Sequence, residues 1–169
     1  MMTLIILGAG GYGRTIADVA EQTKKYADVK FLDDNAKGDE IIGMIADFSD
    51  FIDQDTEFYP AIGNNQKRIE WIRELEKAGA MIATIIHPTA YLSPKAKVRK
   101  GSAILPGAIV NTDVEVGEGC IINIGAIIDH GTVLEEGVHL APGAIVKGLN
   151  RIEAYTKIES GTVVERGQL

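Results

Sequence analysis

Three histidines, His87, His130 and His139, offer this 169-residue sequence its only imidazoles, the side chains that change charge near neutral pH without a large shift. They are the first candidates for moving a proton. His130 follows a carboxylate in Ile127-Ile128-Asp129-His130-Gly131. A histidine at such a turn could act as a base, and it could equally be kept there at little cost. His87 precedes Pro88 and reads as a junction residue, and His139 stands nine residues after His130. Metal ligation finds little support, because His87 lies 43 residues before His130 and no Cys-x-x-Cys or His-x-x-x-His pair occurs. The single cysteine, Cys120, excludes an internal disulfide and reads as packing.

A second group of residues suits a phosphate ligand. Thr3 to Leu7 is an aliphatic run, followed by Gly8-Ala9-Gly10-Gly11-Tyr12-Gly13 and a helical stretch to about Lys24. Gly8, Gly10 and Gly13 have the spacing that lets backbone approach a phosphate and aims a helix N-terminus at its charge. The same glycines would also serve a simple tight turn. Val29 to Leu32 forms a second strand ending in Asp33 and Asp34, where an acid could meet a ribose or base or merely close a solvated strand end. Phe58 to Ile62 reads as a third strand leading to Gly63-Asn64-Asn65, and Asn65 could cap the helix from Gln66 to Lys77 or touch a ligand. Residues 35–57 predict a connecting helix, and Met81 to Ile86 a fourth strand. Strand alternating with helix implies a small Rossmann-like parallel α/β sheet over residues 1–85. About 85 residues hold one mononucleotide-binding half, which disfavours a nicotinamide dinucleotide and favours a single nucleotide.

The remaining residues, 86–169, carry a different rhythm. Every sixth residue from Ile86 through Leu92, Val98, Ile104, Val110, Val116, Ile122, Ile128, Leu134, Leu140, Val146, Ile152 and Ile158 to Val164 is aliphatic. Four residues after each comes a mostly small one, such as Ala90, Ala108, Cys120, Ala126 or Ala144, and glycine recurs between them. A period of six fits neither an isolated helix nor a half-buried strand, so the repeat is a unit that stacks on itself. Three such units make a triangular turn of about 18 residues, the left-handed parallel β-helix. Its interior is filled, so His130 at a turn projects outward. His139 is half a turn away and cannot meet His130 within one chain; a cyclic trimer could bring the two together across an interface.

Composition sets outer limits. With 46% hydrophobic and 24% charged residues the chain reads as globular, and a formal charge of −7 argues against nucleic acid as a partner. Leu4 to Leu7 is too short to span a bilayer and lacks the basic flank of a signal peptide, which predicts no membrane span and a cytoplasmic protein.

In the order Leu7-Gly8-Ala9-Gly10-Gly11-Tyr12-Gly13, Phe31-Leu32-Asp33-Asp34, Ala61-Ile62-Gly63-Asn64-Asn65, Ile86-His87-Pro88, Ile128-Asp129-His130 and Val138-His139-Leu140-Ala141-Pro142-Gly143-Ala144, the chain resembles the NeuD/PglD-like sugar acetyltransferase family. The family includes sialic acid O-acetyltransferases and UDP-amino-sugar N-acetyltransferases. The resemblance implies a nucleotide-sugar site in residues 1–85, contributed by Gly8, Gly10, Gly11, Tyr12, Gly13, Asp33, Asp34, Asn64 and Asn65. It implies acetyl-CoA as co-substrate on the coil, lined by His139, Ala141 and Gly148, and no metal. His130 matches the general base, Asn123 a residue near the acceptor, and the assembly a homotrimer. The chain departs from the family pattern where Gly131 replaces the acidic residue common after the catalytic histidine, leaving Asp129 as the nearest carboxylate, and where Tyr12 replaces a frequent histidine. The coil reaches Leu169 about one turn short of typical relatives, which leaves a second reading open: a trimeric nucleotide-sugar-binding protein without transfer activity.

Overall fold

The computed structural model describes residues 1–167, and the chain divides into two units, Met1–Thr84 and Ile85–Leu169. The first unit runs β1 (Met2–Leu7), α1 (Gly11–Thr23), β2 (Tyr26–Leu32), β3 (Ile41–Gly43), a 3-10 helix (Ile45–Phe51), β4 (Thr56–Pro60), α2 (Asn65–Lys77) and β5 (Met81–Ile82). Its sheet has the order β3-β2-β1-β4-β5 and every pair is parallel. Leu4, Ile5, Ile6 and Leu7 of the central strand are all buried, as a parallel sheet covered on both faces requires. Ile5 and Leu7 pack with Phe58 and with Leu75 of α2, while α1 buries Ile16, Val19 and Ala20.

Local structure departs from expectation where tertiary partners override the chain's own pattern. β2 begins at Tyr26, because Met2 and Thr3 of β1 pair with Tyr26 and Asp28. Residues 35–57 supply a fifth strand, β3, and only a 3-10 turn in place of the expected helix; Phe31 and Leu32 recruit Ile41 and Gly43 across a short loop. Asn64, not Asn65, caps α2, its side chain accepting from the Lys67 N–H at 3.0 Å. Met81 to Ile86 is not one strand. The Ala83 N–H still donates to Phe58 of the sheet, whereas the Ile85 N–H donates to Ser102, so Ile85 belongs to the coil and the boundary between the units falls after Thr84, not after Ile85 as expected.

The second unit is a left-handed parallel β-helix. Its two-residue strands stack into three walls. One holds Ile85–Ile86, Ala103–Ile104, Ile121–Ile122, His139–Leu140 and Lys157–Ile158; a second Tyr91–Leu92, Ile109–Val110, Ile127–Ile128, Ile145–Val146 and Val163–Val164; the third Lys97–Val98, Glu115–Val116, Val133–Leu134 and Arg151–Ile152. In each pair the second residue points inward, and Ile104, Val110, Val116, Ile122, Ile128, Leu134, Leu140 and Val146 form a continuous core with Ala108, Cys120, Ala126, Val138 and Ala144. The polar inward positions are satisfied. The Ser102 hydroxyl donates to the Gly117 carbonyl at 2.8 Å and accepts from the Cys120 N–H, and the Asn150 amide donates to Lys147 and Glu165 carbonyls.

The first residue of each pair points outward, and the walls differ there. The third wall presents Lys97, Glu115, Val133 and Arg151, with Lys97 paired to Glu115 at 2.9 Å. The second presents Tyr91, Ile109, Ile127, Ile145 and Val163 in one unbroken column, each in register with the next. Tyr91, Ile109 and Val163 are exposed.

Candidate active site

The corner that follows the apolar wall carries the Asp129-His130 pair. His130 occupies a turn and leaves half its side chain, 50%, open to solvent. Asp129 Oδ1 accepts from the His130 backbone N–H at 2.7 Å, lies 3.0 Å from His130 Nδ1, and accepts from the Asn111 amide at 2.9 Å. A carboxylate facing Nδ1 selects the tautomer with its proton there, so Nε2 keeps its lone pair toward solvent. The same three contacts, the His130 backbone N–H first, hold the Asp129 carboxyl down at about 2. It is ionised throughout the working range. The carboxylate that faces the ring thus belongs to the residue before His130, and Gly131 follows it. Gly148 is buried against the imidazole: a Cβ there would fall 2.7 Å from Cε1 and 2.9 Å from Nδ1.

The opposite corner of the apolar wall holds Asn123, and His139 reaches it from the neighbouring wall. Asn123 Oδ1 accepts from the Ile124 N–H at 2.8 Å, which turns Nδ2 toward His139 Nε2 at 3.2 Å. The amide then donates, so His139 carries its proton on Nδ1. Ala141 follows next in that stack and is buried, its N–H donating to Ile158 and its carbonyl accepting from Ala144. His87 is buried at the start of the coil and accepts the Thr89 N–H at Nδ1, 3.0 Å away. Within the chain, His130 and Asp129 come together, as do His139 and Asn123. The two pairs lie on opposite borders of one wall.

In the first unit the strand order reverses between β1 and β4, the place where open α/β sheets bind ligands beyond their carboxyl ends. The glycine turn follows β1 and Ala61 to Asn65 follows β4. Gly8 has φ +101, and a Cβ on Gly13 would lie 2.0 Å from the Gly8 carbonyl oxygen, so both glycines are required by the turn itself. Gly10 and Gly11 face open space, and no side chain caps α1. Its first N–H groups remain available to an anion.

Asp33 accepts from the backbone: Oδ2 from Ala9 at 2.7 Å and Oδ1 from Asn35 and Ala36. Those N–H groups, Ala9 first, lower its carboxyl below the usual range. It ties the glycine turn to the end of β2. Asp34 accepts from the Ile45 N–H at 2.9 Å. The Tyr12 hydroxyl meets that of Tyr59 at 2.6 Å, and burial first, then Tyr59, raises its phenol well above its ordinary value while Arg68 opposes the rise.

Sequence reasoning missed Asn111 and Arg68. Arg68 is fully buried, its guanidinium donating to the Ile62 carbonyl at 2.9 Å and to Asn65 Oδ1 at 2.8 Å, a brace for the loop after β4. Arginine in an amphipathic helix reads as surface, so the pattern held no warning. Among the described residues no group of three His, Cys, Asp or Glu could hold a metal ion, and no helix is long and apolar enough to cross a membrane.

Residues 3–75 match the family model for the PglD N-terminal domain. Over 95% of this chain and 80% of the other, the structure superposes on the acetyltransferase domain of PglB from Neisseria gonorrhoeae FA1090, solved with acetyl coenzyme A, with a TM-score of 0.92 and 30% identity. The chain belongs to the NeuD/PglD-like sugar acetyltransferase family. The fold alone is shared further, with perosamine N-acetyltransferase from Caulobacter crescentus in complex with CoA and GDP-perosamine (23% identity, TM-score 0.87, 98% of this chain and 90% of that). It is shared also with WeeI from Acinetobacter baumannii AYE (22%, TM-score 0.89, 99% and 82%).

Proposed function

We propose that the protein transfers the acetyl group of acetyl-CoA to an amino or hydroxyl group of a nucleotide-linked sugar, UDP-linked in our reading, in cytoplasmic synthesis of surface glycans. The observation that carries this reading is the exposed His130 whose Nδ1 faces the Asp129 carboxylate at 3.0 Å, leaving Nε2 as a base. The acceptor's nitrogen or oxygen attacks the thioester carbonyl carbon as Nε2 takes its proton. The tetrahedral intermediate collapses, the carbon–sulfur bond breaks, and the CoA thiolate leaves, to be protonated by the imidazolium. Holding donor and acceptor together supplies much of the rate.

Residues 1–84 bind the nucleotide sugar in this reading. The open N–H groups of Gly11, Tyr12 and Gly13 take a phosphate, and Asp33, Asp34, Asn64 and Asn65 shape the loops around it. His139, with Ala141 and the backbone of Gly148, lines the acetyl-CoA path, and Asn123 stands near the acceptor.

The assembly is a cyclic homotrimer. The outward column Tyr91, Ile109, Ile127, Ile145 and Val163 supports this, since a wall of that kind is buried in an oligomer more economically than left in water. Packing these walls about a three-fold axis makes heterologous contacts, in which the His130 corner of one copy meets the Asn123 and His139 corner of the next. Each site is then built from two copies.

The test is free-thiol release from acetyl-CoA with a UDP-linked amino sugar, comparing the native chain with His130→Ala. Turnover lost in the variant supports the reading. No turnover in either protein, with UDP-sugar binding intact, would leave a nucleotide-sugar-binding protein instead.

A further inference from the structure

We infer that Asn111 and Gly148, one coil turn below and one above His130, are positioning residues that clamp its imidazole as a base; this rests on the base assignment just proposed. From below, Asn111 Oδ1 accepts from the Thr112 N–H at 2.8 Å, which fixes the amide and sends Nδ2 to Asp129 Oδ1 at 2.9 Å. That oxygen therefore receives three donors: the Asn111 amide, the His130 backbone N–H at 2.7 Å and Nδ1 at 3.0 Å. Side-chain rotation of Asp129 would break all three contacts at once. Its acceptor stays aimed at Nδ1.

From above, a Cβ on Gly148 would come within 3.0 Å of Cε1, Nδ1 and Nε2 alike, so the ring lies flat against the glycine. Gly148 does not take the left-handed backbone of the corner glycines such as Gly131, φ +63. The equivalent corner places on other turns hold Pro94, Thr112 and Arg166. The coil itself does not require glycine there. The imidazole does, because any side chain would push the ring off Asp129.

Asn111→Ala, Gly148→Ala and Asp129→Asn, with the double variant Asn111→Ala/Asp129→Asn, test the clamp. For Asn111→Ala the expected result is a kcat about tenfold lower with both KM values within about twofold, and long-range proton–nitrogen spectra of His130 that change from the Nδ1–H tautomer to a mixture. In the Asp129→Asn background the same substitution should cost nothing further, since both act through one contact. Gly148→Ala leaves every hydrogen bond donor and acceptor in place, so it keeps the test open should Asn111→Ala fail to fold; it should lower kcat about tenfold at unchanged melting temperature. An unaltered His130 tautomer in Asn111→Ala and in Gly148→Ala, or losses from Asn111→Ala and Asp129→Asn that multiply, would overturn the clamp. A changed tautomer beside a fully active His130→Ala protein would uphold the clamp and overturn only the base assignment.

Discussion

At the scale of single residues, the proposed chemistry turns on one nitrogen, His130 Nε2. Removing it in His130→Ala should cut kcat by roughly 10²–10⁴, the usual worth of a positioned base, with little change in KM for the nucleotide sugar; steady-state thiol release measures both. Asp129→Asn leaves the ring but not its orientation, and a loss of about tenfold or more is expected. The pH dependence follows from the carboxyl held at about 2. Its folded value lies below the unfolded value of about 3.9, so its contribution to stability is complete above about pH 4 and is lost as pH falls through 2. Acid unfolding curves of native protein and Asp129→Asn should therefore converge near pH 2 and separate above pH 4. An acid limb of activity above that range belongs to another group. The Asp129-His130 pair was legible because the two are adjacent in sequence. Asn111 was not, because it reaches Asp129 only after 18 residues of coil have stacked one turn on the next. The contact of Gly148 with the imidazole was hidden for the same reason, as were the three backbone N–H groups from which Asp33 accepts.

At the scale of elements, the glycine turn separates folding from binding. Gly13→Ala would place a methyl 2.0 Å from the Gly8 carbonyl oxygen, a backbone clash that should destabilise the first unit by about 3 kcal/mol or more in denaturant unfolding. Gly10→Ala meets nothing within 4 Å and should fold normally. If the open end of α1 holds the phosphates, Gly10→Ala will nonetheless raise KM for the nucleotide sugar severalfold, because its methyl occupies the ligand's space. The six-residue rhythm told the coil's architecture almost residue by residue, since each inward aliphatic fills the same narrow prism. The first unit was less readable. β3 forms because β2 offers an edge, and the run from Met81 to Ile86 divides because two different sheets compete for it; neither cause is local to those residues.

At the scale of the whole molecule, the proposed trimer would bury the outward column on the second wall, and the proposed site would depend on that contact. Its members sit 18 residues apart, so no window of ordinary length shows them as a stripe. Ile109→Arg points a charge outward from this wall and should yield a folded monomer by sedimentation, with thiol release reduced to background. The most direct test of a site shared between copies mixes two crippled chains, His130→Ala and His139→Ala, unfolded and refolded together at equal amounts. Each homotrimer should release little CoA at low acetyl-CoA concentration. Over all the trimers that random assembly forms, about one quarter of the interfaces would combine an intact His130 with an intact His139, so the mixture should recover roughly a quarter of native activity. Mixed trimers that form, as shown by native mass spectrometry, yet stay no more active than the parents would contradict the account.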